Sequence, residues 1–292
     1  MDETIWSTNI RGITSKLPLL QHEIQHHQPS LVIICETFLT ANVPDTALNI
    51  PGYSFFRRDR VSFAGGVIVY FKNSLRIQRL THFERPEHEA IWYNLQTESN
   101  LEIFGCAAYW PPSPASDLMQ YIQETSDAIN FNQNSLILIA NAHHSQLPLG
   151  THTNASGAAL YSFMCNNDLQ QIVTEYTRVT ADSKACLDIM LTNVPELLHF
   201  KGVLPGIGNS DHAIAVAIIG CELQAPDSTA SRPSTKSSFD LSNTNWRLLD
   251  DFYSRANWDL SMQHGDMDVA WSKFKEILLR GLNNYARKTQ GH

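Results

Sequence analysis

The sequence predicts an α/β fold in which two mixed β-sheets pack as a sandwich flanked by helices, with a short helical extension at the C-terminal end. Three observations carry this expectation. Apolar, β-branched runs recur through roughly the first 220 residues, helical patterns fill some intervals between them, and turn pairs fill others. Runs that are apolar at successive positions read as strands covered on both faces, because a half-exposed strand alternates with polar residues. The predicted strands are 31–35, 66–71, 91–95, 101–108, 135–140, 187–192 and 213–220. The predicted helices run from Ile13 to His27, from Ser116 to Asn130 and from Ala158 to Asp168. Pro51-Gly52, Gly65-Gly66 and Pro111-Pro112 mark turns.

From Gln224 to Ser242 the composition shifts to Ser, Thr, Pro, Asp and Lys, which reads as a linker. The expected organisation is therefore a domain over 1–222, a linker over 223–242 and a helical tail over 243–292. In the tail, Trp246, Leu249, Phe252 and Tyr253 recur at helical spacing, as do Val269, Trp271, Phe274, Ile277, Leu278 and Leu282. Two amphipathic helices are too few for a comfortable core of their own. The tail reads as a partner-seeking element or as the lead-in to a further domain.

Composition narrows the class. The chain has 292 residues, 43% hydrophobic and 17% charged, which are values of a globular protein. No apolar run approaches the roughly 20 residues that span a bilayer, so no membrane partner is expected. The acidic start Met1-Asp2-Glu3 is not that of a signal peptide. Cys35, Cys106, Cys165, Cys186 and Cys221 are odd in number and widely spaced, which predicts reduced core thiols in a nuclear or cytoplasmic protein. A net charge of −8 counts mildly against tight autonomous binding of nucleic acid, with Arg57-Arg58-Asp59-Arg60 as a local exception.

Carboxylates placed at the mouths of apolar runs carry the chemistry. Glu36 ends the run 31–35, Asp188 is flanked by Leu187 and Ile189, and Asp211-His212 opens the run 213–220. Desolvating an unpaired carboxylate costs several kcal/mol, so each is expected to be paired, hydrogen-bonded or metal-bound. Several strands ending in acids, with one His beside the last, are the parts of a divalent-metal, phosphodiester-cleaving site. Asp188 is positioned to accept the ring hydrogen of His212 and fix its tautomer. Asn9 reads either as a strand-end amide turned toward that site or as a turn residue. Tyr109 either packs or turns its hydroxyl to a phosphate. His22, His26 and His27 read as a solvated helix face, since an i, i+4 pair without a third ligand makes a poor zinc site.

These residues, in this order, resemble the endonuclease/exonuclease/phosphatase superfamily, and more narrowly the endonuclease part of non-LTR retrotransposon polyproteins. The matching pieces are Asn9-Ile10-Arg11-Gly12, Glu36-Thr37-Phe38-Leu39, Ile50-Pro51-Gly52-Tyr53, Arg58-Asp59-Arg60 before Gly65-Gly66-Val67, and Tyr109-Trp110-Pro111-Pro112. They continue with Leu169-Gln170-Gln171-Ile172-Val173, Thr177-Arg178, Leu187-Asp188 and Ser210-Asp211-His212, covering about 5 to 220. The tail around Trp258 and Trp271 resembles the connector that precedes reverse transcriptase in such polyproteins.

The resemblance implies a four-layer α/β sandwich that nicks a target DNA duplex with Mg²⁺ or Mn²⁺. In the polyproteins the 3′ hydroxyl so made primes a fused reverse transcriptase, whose motifs are absent here. Carried over by motif, Glu36 would hold the metal with Asn9 and Asp211 beside it. Tyr109 would contact the scissile phosphate, and His212, oriented by Asp188, would stabilise the transition state or handle a proton. Arg58, Arg60, Thr177, Arg178 and Ser210 would contact the nucleic acid.

One departure stands out. The family carries Gly-Asp-Phe-Asn at a central strand end, whereas Leu136-Ile137-Leu138-Ile139 here runs into Ala140-Asn141-Ala142-His143-His144. One register puts Asn141 at the Asp position and His143 at the Asn position; the other keeps Asn141 as the Asn and puts Ile139 at the Asp. Neither supplies the carboxylate that would activate water, and an amide cannot accept that proton. His143 is the one candidate substitute. The expectation is a weakened endonuclease or a silent remnant that keeps the fold for binding; a lipid or nucleotide phosphatase is a third reading.

Overall fold

The computed structural model describes residues 2–61, 64–97, 102–111, 117–129, 135–142, 155–220, 239–240, 244, 246–255, 258, 267–285 and 287–288. The chain divides into two compact units, Met1–Leu223 and Gln224–His292.

The first unit is built on two six-stranded sheets. One contains β1 (Glu3–Asn9), β2 (Leu31–Cys35), β3 (Tyr53–Arg58), β4 (Val67–Lys72), β13 (Leu198–Leu204) and β14 (Ile214–Ile219), in the order β13-β14-β1-β2-β4-β3. The other contains β5 (Arg76–Arg79), β6 (Ala90–Gln96), β7 (Glu102–Trp110), β8 (Ser135–Ala142), β9 (Gln170–Gln171) and β12 (Asp188–Thr192), in the order β5-β6-β7-β8-β12-β9. A hairpin of β10 (Arg178–Val179) and β11 (Lys184–Ala185) stands apart from both sheets.

Each sheet has one parallel pair among its described ladders, β1 with β2 and β7 with β8. Parallel neighbours need a crossover rather than a tight turn. Helices α1 (Leu17–His27) and α2 (Leu118–Ile129) supply the two crossovers, and α3 (Ala155–Asn166) follows β8. Alternate residues of β2 divide between two cores: Leu31, Ile33 and Cys35 join Val67, Val69, Ile91, Tyr93, Ala107 and Met190 between the sheets. Val32 and Ile34 face outward with Trp6, Ile68 and Tyr70 against Leu20 and Ile24 of α1. On the far side, Trp92, Cys106, Ile189 and Leu191 pack on Tyr121 and Ile122 of α2 and Leu160 and Phe163 of α3. The layers are therefore helix, sheet, sheet, helix.

The strands missed by hydrophobic pattern are mostly at edges. β3 and β13 close the first sheet and β5 one side of the second, and β5 and β13 carry exposed polar residues. β1 is central yet ends in Ser7, Thr8 and Asn9, all buried. Thr8 meets that cost by donating its hydroxyl to the Ala213 carbonyl at 3.1 Å. Cys35, Cys106 and Cys186 are buried thiols, but Cys165 is exposed, because it lies on the face of α3 turned away from the buried Leu160 and Phe163, and Cys221 is outside the described residues. His22, His26 and His27 are exposed on α1.

In the second unit, α4 (Trp246–Arg255) and α5 (Met267–Tyr285) are joined by contacts of Tyr253 and Trp258. The Tyr253 hydroxyl donates to the Leu278 carbonyl at 2.8 Å, and the Trp258 ring lies 5.5 Å from Phe274. Within the stretch expected to be linker, β15 (Phe239–Asp240) pairs with β16 (Arg287–Lys288), so that part is a strand and not free chain. Among the described residues no helix is long and apolar enough to cross a membrane.

Gly105 lies opposite Tyr93 across β6 and β7, and a Cβ there would overlap the Tyr93 ring. Tyr93 is 2% exposed and cannot swing into solvent. Gly105→Ala is expected to destabilise the protein by about 1–3 kcal/mol through overpacking. The check is a lower denaturant midpoint with an unchanged slope.

Candidate active site

The site forms where both parallel pairs end. Asn9 closes β1 opposite Cys35, and Glu36 is the next residue of the β2 chain. There the backbone turns left-handed: Arg11 has φ 48°, Glu36 φ 53° and Phe38 φ 54°. Such a conformation costs on the order of 1–3 kcal/mol for each non-glycine residue and persists only where its surroundings over-determine it. They do so here. Gly12 and Ile13 N–H groups donate to the Glu36 and Thr37 carbonyls at 2.8 and 3.0 Å, and Phe38 N–H donates to Gly65 at 2.9 Å. Gly66 must be glycine, since it has φ +87° and a Cβ would overlap Thr37 Oγ1.

Two polar links cross from sheet to sheet at this end. The Tyr109 hydroxyl, at the end of β7, donates to Glu36 Oε1 at 3.2 Å. Burial, then the charge and hydrogen bond of Glu36, push the Tyr109 hydroxyl well above its ordinary pKa, so it stays protonated and donates. The second link joins His212 Nδ1 to Asp188 Oδ2 at 2.8 Å, with both side chains almost wholly buried. The carboxylate accepts, which places the ring proton on Nδ1 and leaves Nε2 as the nitrogen able to exchange a proton. Thr177, fully buried, fixes Asp188 from behind: its hydroxyl oxygen accepts from the N–H groups of Leu187 and Asp188, each at 3.0 Å.

Asn141 of β8 is in register with Tyr109 of β7 on one side and Asp188 of β12 on the other, so the three form one row across adjacent strands. For Asn141 only the backbone is described, and His143 lies outside the described residues.

Asp211 is an ion-pair hub. Arg178 Nε donates to its Oδ2 at 2.8 Å, and Arg11 Nη1 reaches both oxygens at 3.4 Å. Burial pushes the Asp211 carboxyl up, but the Arg178 hydrogen bond and the surrounding positive charge outweigh it, and the pKa is lowered. Two residues expected at a nucleic-acid surface also hold the backbone, Thr177 wholly buried and Ser210 half-buried. Thr177 has no exposed surface, and the Ser210 hydroxyl donates to the Asn9 carbonyl at 3.0 Å while accepting from His212 N–H at 3.3 Å. Ser210 thus ties the end of β1 to the His212 turn.

Beside Tyr109 opens a cleft of about 770 Å³ whose walls include Arg57, Arg58, Arg60, Arg79, His88 and Glu89. Arg57 and Arg79 are neutralised by Asp45, Asp59 and Glu84. Arg58 donates to the Arg85 carbonyl at 2.8 Å, and Arg60 pairs with Glu89 at 3.1 Å. Glu89 was missed in the sequence, although it immediately precedes an apolar strand just as Glu36 follows one. It accepts a hydrogen bond from Gly66 N–H; burial raises its carboxyl pKa, against Gly66, Arg60 and Arg58, with the Glu36 charge adding to the rise. His88 was also missed; its ring stacks on Tyr121 at 4.5 Å and burial lowers its pKa.

The oxygen donors of Glu36 and Asn9 suit a hard divalent cation. Asp211 is chemically suitable as well but is committed to guanidinium groups. Among the described residues no group of three or more His, Cys, Asp or Glu side chains is arranged to hold an ion.

No family model matches the sequence, and no curated protein matches it. Solved structures do match. The endonuclease domain of TRAS1, a telomere-specific non-LTR retrotransposon, aligns with TM-score 0.59 at 15% identity, over 74% of this chain and 98% of that one. The fold is that of the endonuclease/exonuclease/phosphatase proteins. The AP endonuclease LMAP from Leishmania major aligns with TM-score 0.63 at 13% identity, over 76% of this chain and 88% of its own. The 3′ phosphatase NExo from Neisseria, bound to a product DNA hairpin, aligns with TM-score 0.55 at 13% identity, over 74% and 99%. Neighbours of this fold thus include endonucleases and a DNA-bound phosphatase.

Two outcomes follow from the site's geometry. Thr177→Val keeps the shape but strands two buried N–H groups, and is expected to cost about 2–4 kcal/mol in denaturation while Thr177→Ser costs much less. Asp211 ionises below its ordinary 3.8, so its ion pairs stabilise the fold above that pH and are lost as pH falls through the lowered value. The melting-temperature difference between the protein and Asp211→Asn should be full at neutral pH and shrink below about pH 3.8.

Proposed function

We propose that the first unit is a divalent-metal-dependent DNA endonuclease domain of retrotransposon type, weakened at the step that activates water. The observation that carries this reading is the buried His212–Asp188 pair at the same strand ends as the Glu36–Tyr109 pair. In the reaction, a water oxygen forms a bond to phosphorus, the P–O3′ bond breaks, and the 3′ oxygen leaves as a hydroxyl. Mg²⁺ or Mn²⁺, when bound at Glu36 and Asn9 with Asp211 beside it, supplies neutralisation of the phosphate's charge. Tyr109, kept protonated, donates to a phosphate oxygen. His212, oriented by Asp188, hydrogen-bonds the charge that develops on the equatorial oxygens. Arg58 and Arg60 line the path of the strand beside Tyr109, and Arg178 lies on the Asp211 side.

A second reading, a catalytically silent module that retains the fold for binding, is favoured by one observation: an amide residue, Asn141, holds the middle of the row between Tyr109 and Asp188. General-base assistance is worth ~10²–10⁴-fold in rate. The domain expected over 1–222 would carry either function, with the helical tail as a connector toward a polymerase and the nucleus or cytoplasm as its setting.

Plasmid nicking in Mg²⁺ or Mn²⁺ tests both readings. The endonuclease reading expects slow nicking, abolished by Asp211→Ala and raised about 10²–10⁴-fold by Asn141→Asp. An Asp211→Ala variant that nicks like the parent would sink it, and complete inactivity even with Asn141→Asp would favour the binding module. Mg²⁺ should also raise the melting temperature, and that shift should vanish in Glu36→Gln.

A further inference from the structure

The cations around Asp211 exceed what one carboxylate needs. Arg178 alone makes a close charge-assisted bond at 2.8 Å. Arg11 approaches the same carboxylate at 3.4 Å through Nη1 only, and its Nε and Nη2 donate to no group among the described residues. Its side chain is 53% exposed. The Lys16 ammonium lies behind, donating to the Ile10 and Arg11 carbonyls at 2.5 and 3.4 Å. Burial, then the nearby Arg11 charge, lower the Lys16 pKa, against the Asp211 charge, which raises it. Two guanidinium groups thus share one carboxylate, with an ammonium on the neighbouring backbone, in a chain whose net charge is −8.

The Arg11 backbone is also fixed before any ligand arrives. It holds φ 48° with its N–H donated to Asn9 Oδ1 at 3.1 Å, and the next N–H, of Gly12, is donated to Glu36 at 2.8 Å. An exposed guanidinium on a strained, over-determined turn has little ordering left to lose on binding an anion. Its place is beside Asp211-His212, whereas the Arg58 and Arg60 cleft is beside Tyr109 and Glu89.

We propose that Arg11 is a phosphate-binding residue, acting with Arg178 as a two-guanidinium clamp on a nucleic-acid backbone phosphate that flanks the scissile one. Asp211 is the spacer that holds the two guanidinium groups apart and together. The proposal rests on the nucleic-acid reading above and sharpens it. With a clamp at Asp211 and the arginine-lined cleft at Tyr109, the substrate is a strand of several phosphates, and a lone phosphomonoester engages only one side.

The test is equilibrium binding of a fluorescent DNA duplex to the full chain, without divalent metal, over a series of NaCl concentrations. Arg11→Asn removes the charge with a residue that tolerates the left-handed backbone. It should weaken binding roughly tenfold and lower the slope of log K against log salt by about one. Arg11→Lys should keep the slope and lose affinity several-fold, because a point charge cannot fork. Parent-like affinity in both variants overturns the proposal, as does weakened binding by Arg11→Asn at an unchanged slope, which marks a structural role. If the parent fails to bind duplex DNA at all, this clamp and the nucleic-acid reading fall together. If the parent binds and Arg11→Asn is neutral, the clamp alone falls.

Discussion

The polar contacts between the two sheets govern this molecule. Sheets pack on each other through apolar side chains, which hold them together without fixing how they slide. Two hydrogen bonds, Tyr109 to Glu36 and His212 to Asp188, impose directions and distances that packing alone does not. Both lie at the end where the parallel pairs finish, and each joins a residue of one sheet to a residue leaving or entering the other. Buried polar groups of this kind are costly when unsatisfied, so the fold has one alignment of its sheets that meets all of them.

The parallel pairs explain why chemistry collects there. A helical crossover forces both strands of a pair to end on the same side, so the chain leaves each sheet at adjacent points. β1 and β2 thereby bring Asn9 and Glu36 together, and β7 and β8 bring Tyr109 into line with Asn141. The antiparallel partners β12 and β14 begin where these end, delivering Asp188 and His212 to the same edge. Six strands, several of them distant in sequence, thus meet at one edge because of strand direction alone.

How much of this was legible depended on how each residue signals itself. Strands covered on both faces, such as 31–35, are unmistakable as apolar runs. β5 and β13 carry exposed polar residues and resemble loops in sequence, and central β1 hides because buried Ser7, Thr8 and Asn9 are satisfied by contacts that sequence does not display. Glu36, Asp188, Asp211 and His212 stood out as charges against apolar neighbours. Glu89 gave the same signal on the other side of a strand and was overlooked. Thr177 and Ser210 could be located but not understood: a hydroxyl that accepts two N–H groups and one that contacts the surface look alike until the backbone comes round. Arg11 is recognisable as unusual only through its φ angle and its distance to Asp211.

The cross-sheet placement of the site makes its two hydrogen bonds sensitive to stress on the fold. A shear of the sheets by an ångström or so would pull both hydrogen bonds beyond their working range while leaving three apolar cores largely in contact. Hydrogen bonds fade steeply with distance and angle, whereas apolar burial changes gradually with displacement. The site is therefore the most fragile gauge of sheet alignment in the molecule. Mild heat, pressure or a solvent-swollen core would open both contacts while the far-ultraviolet signature of the strands stayed intact.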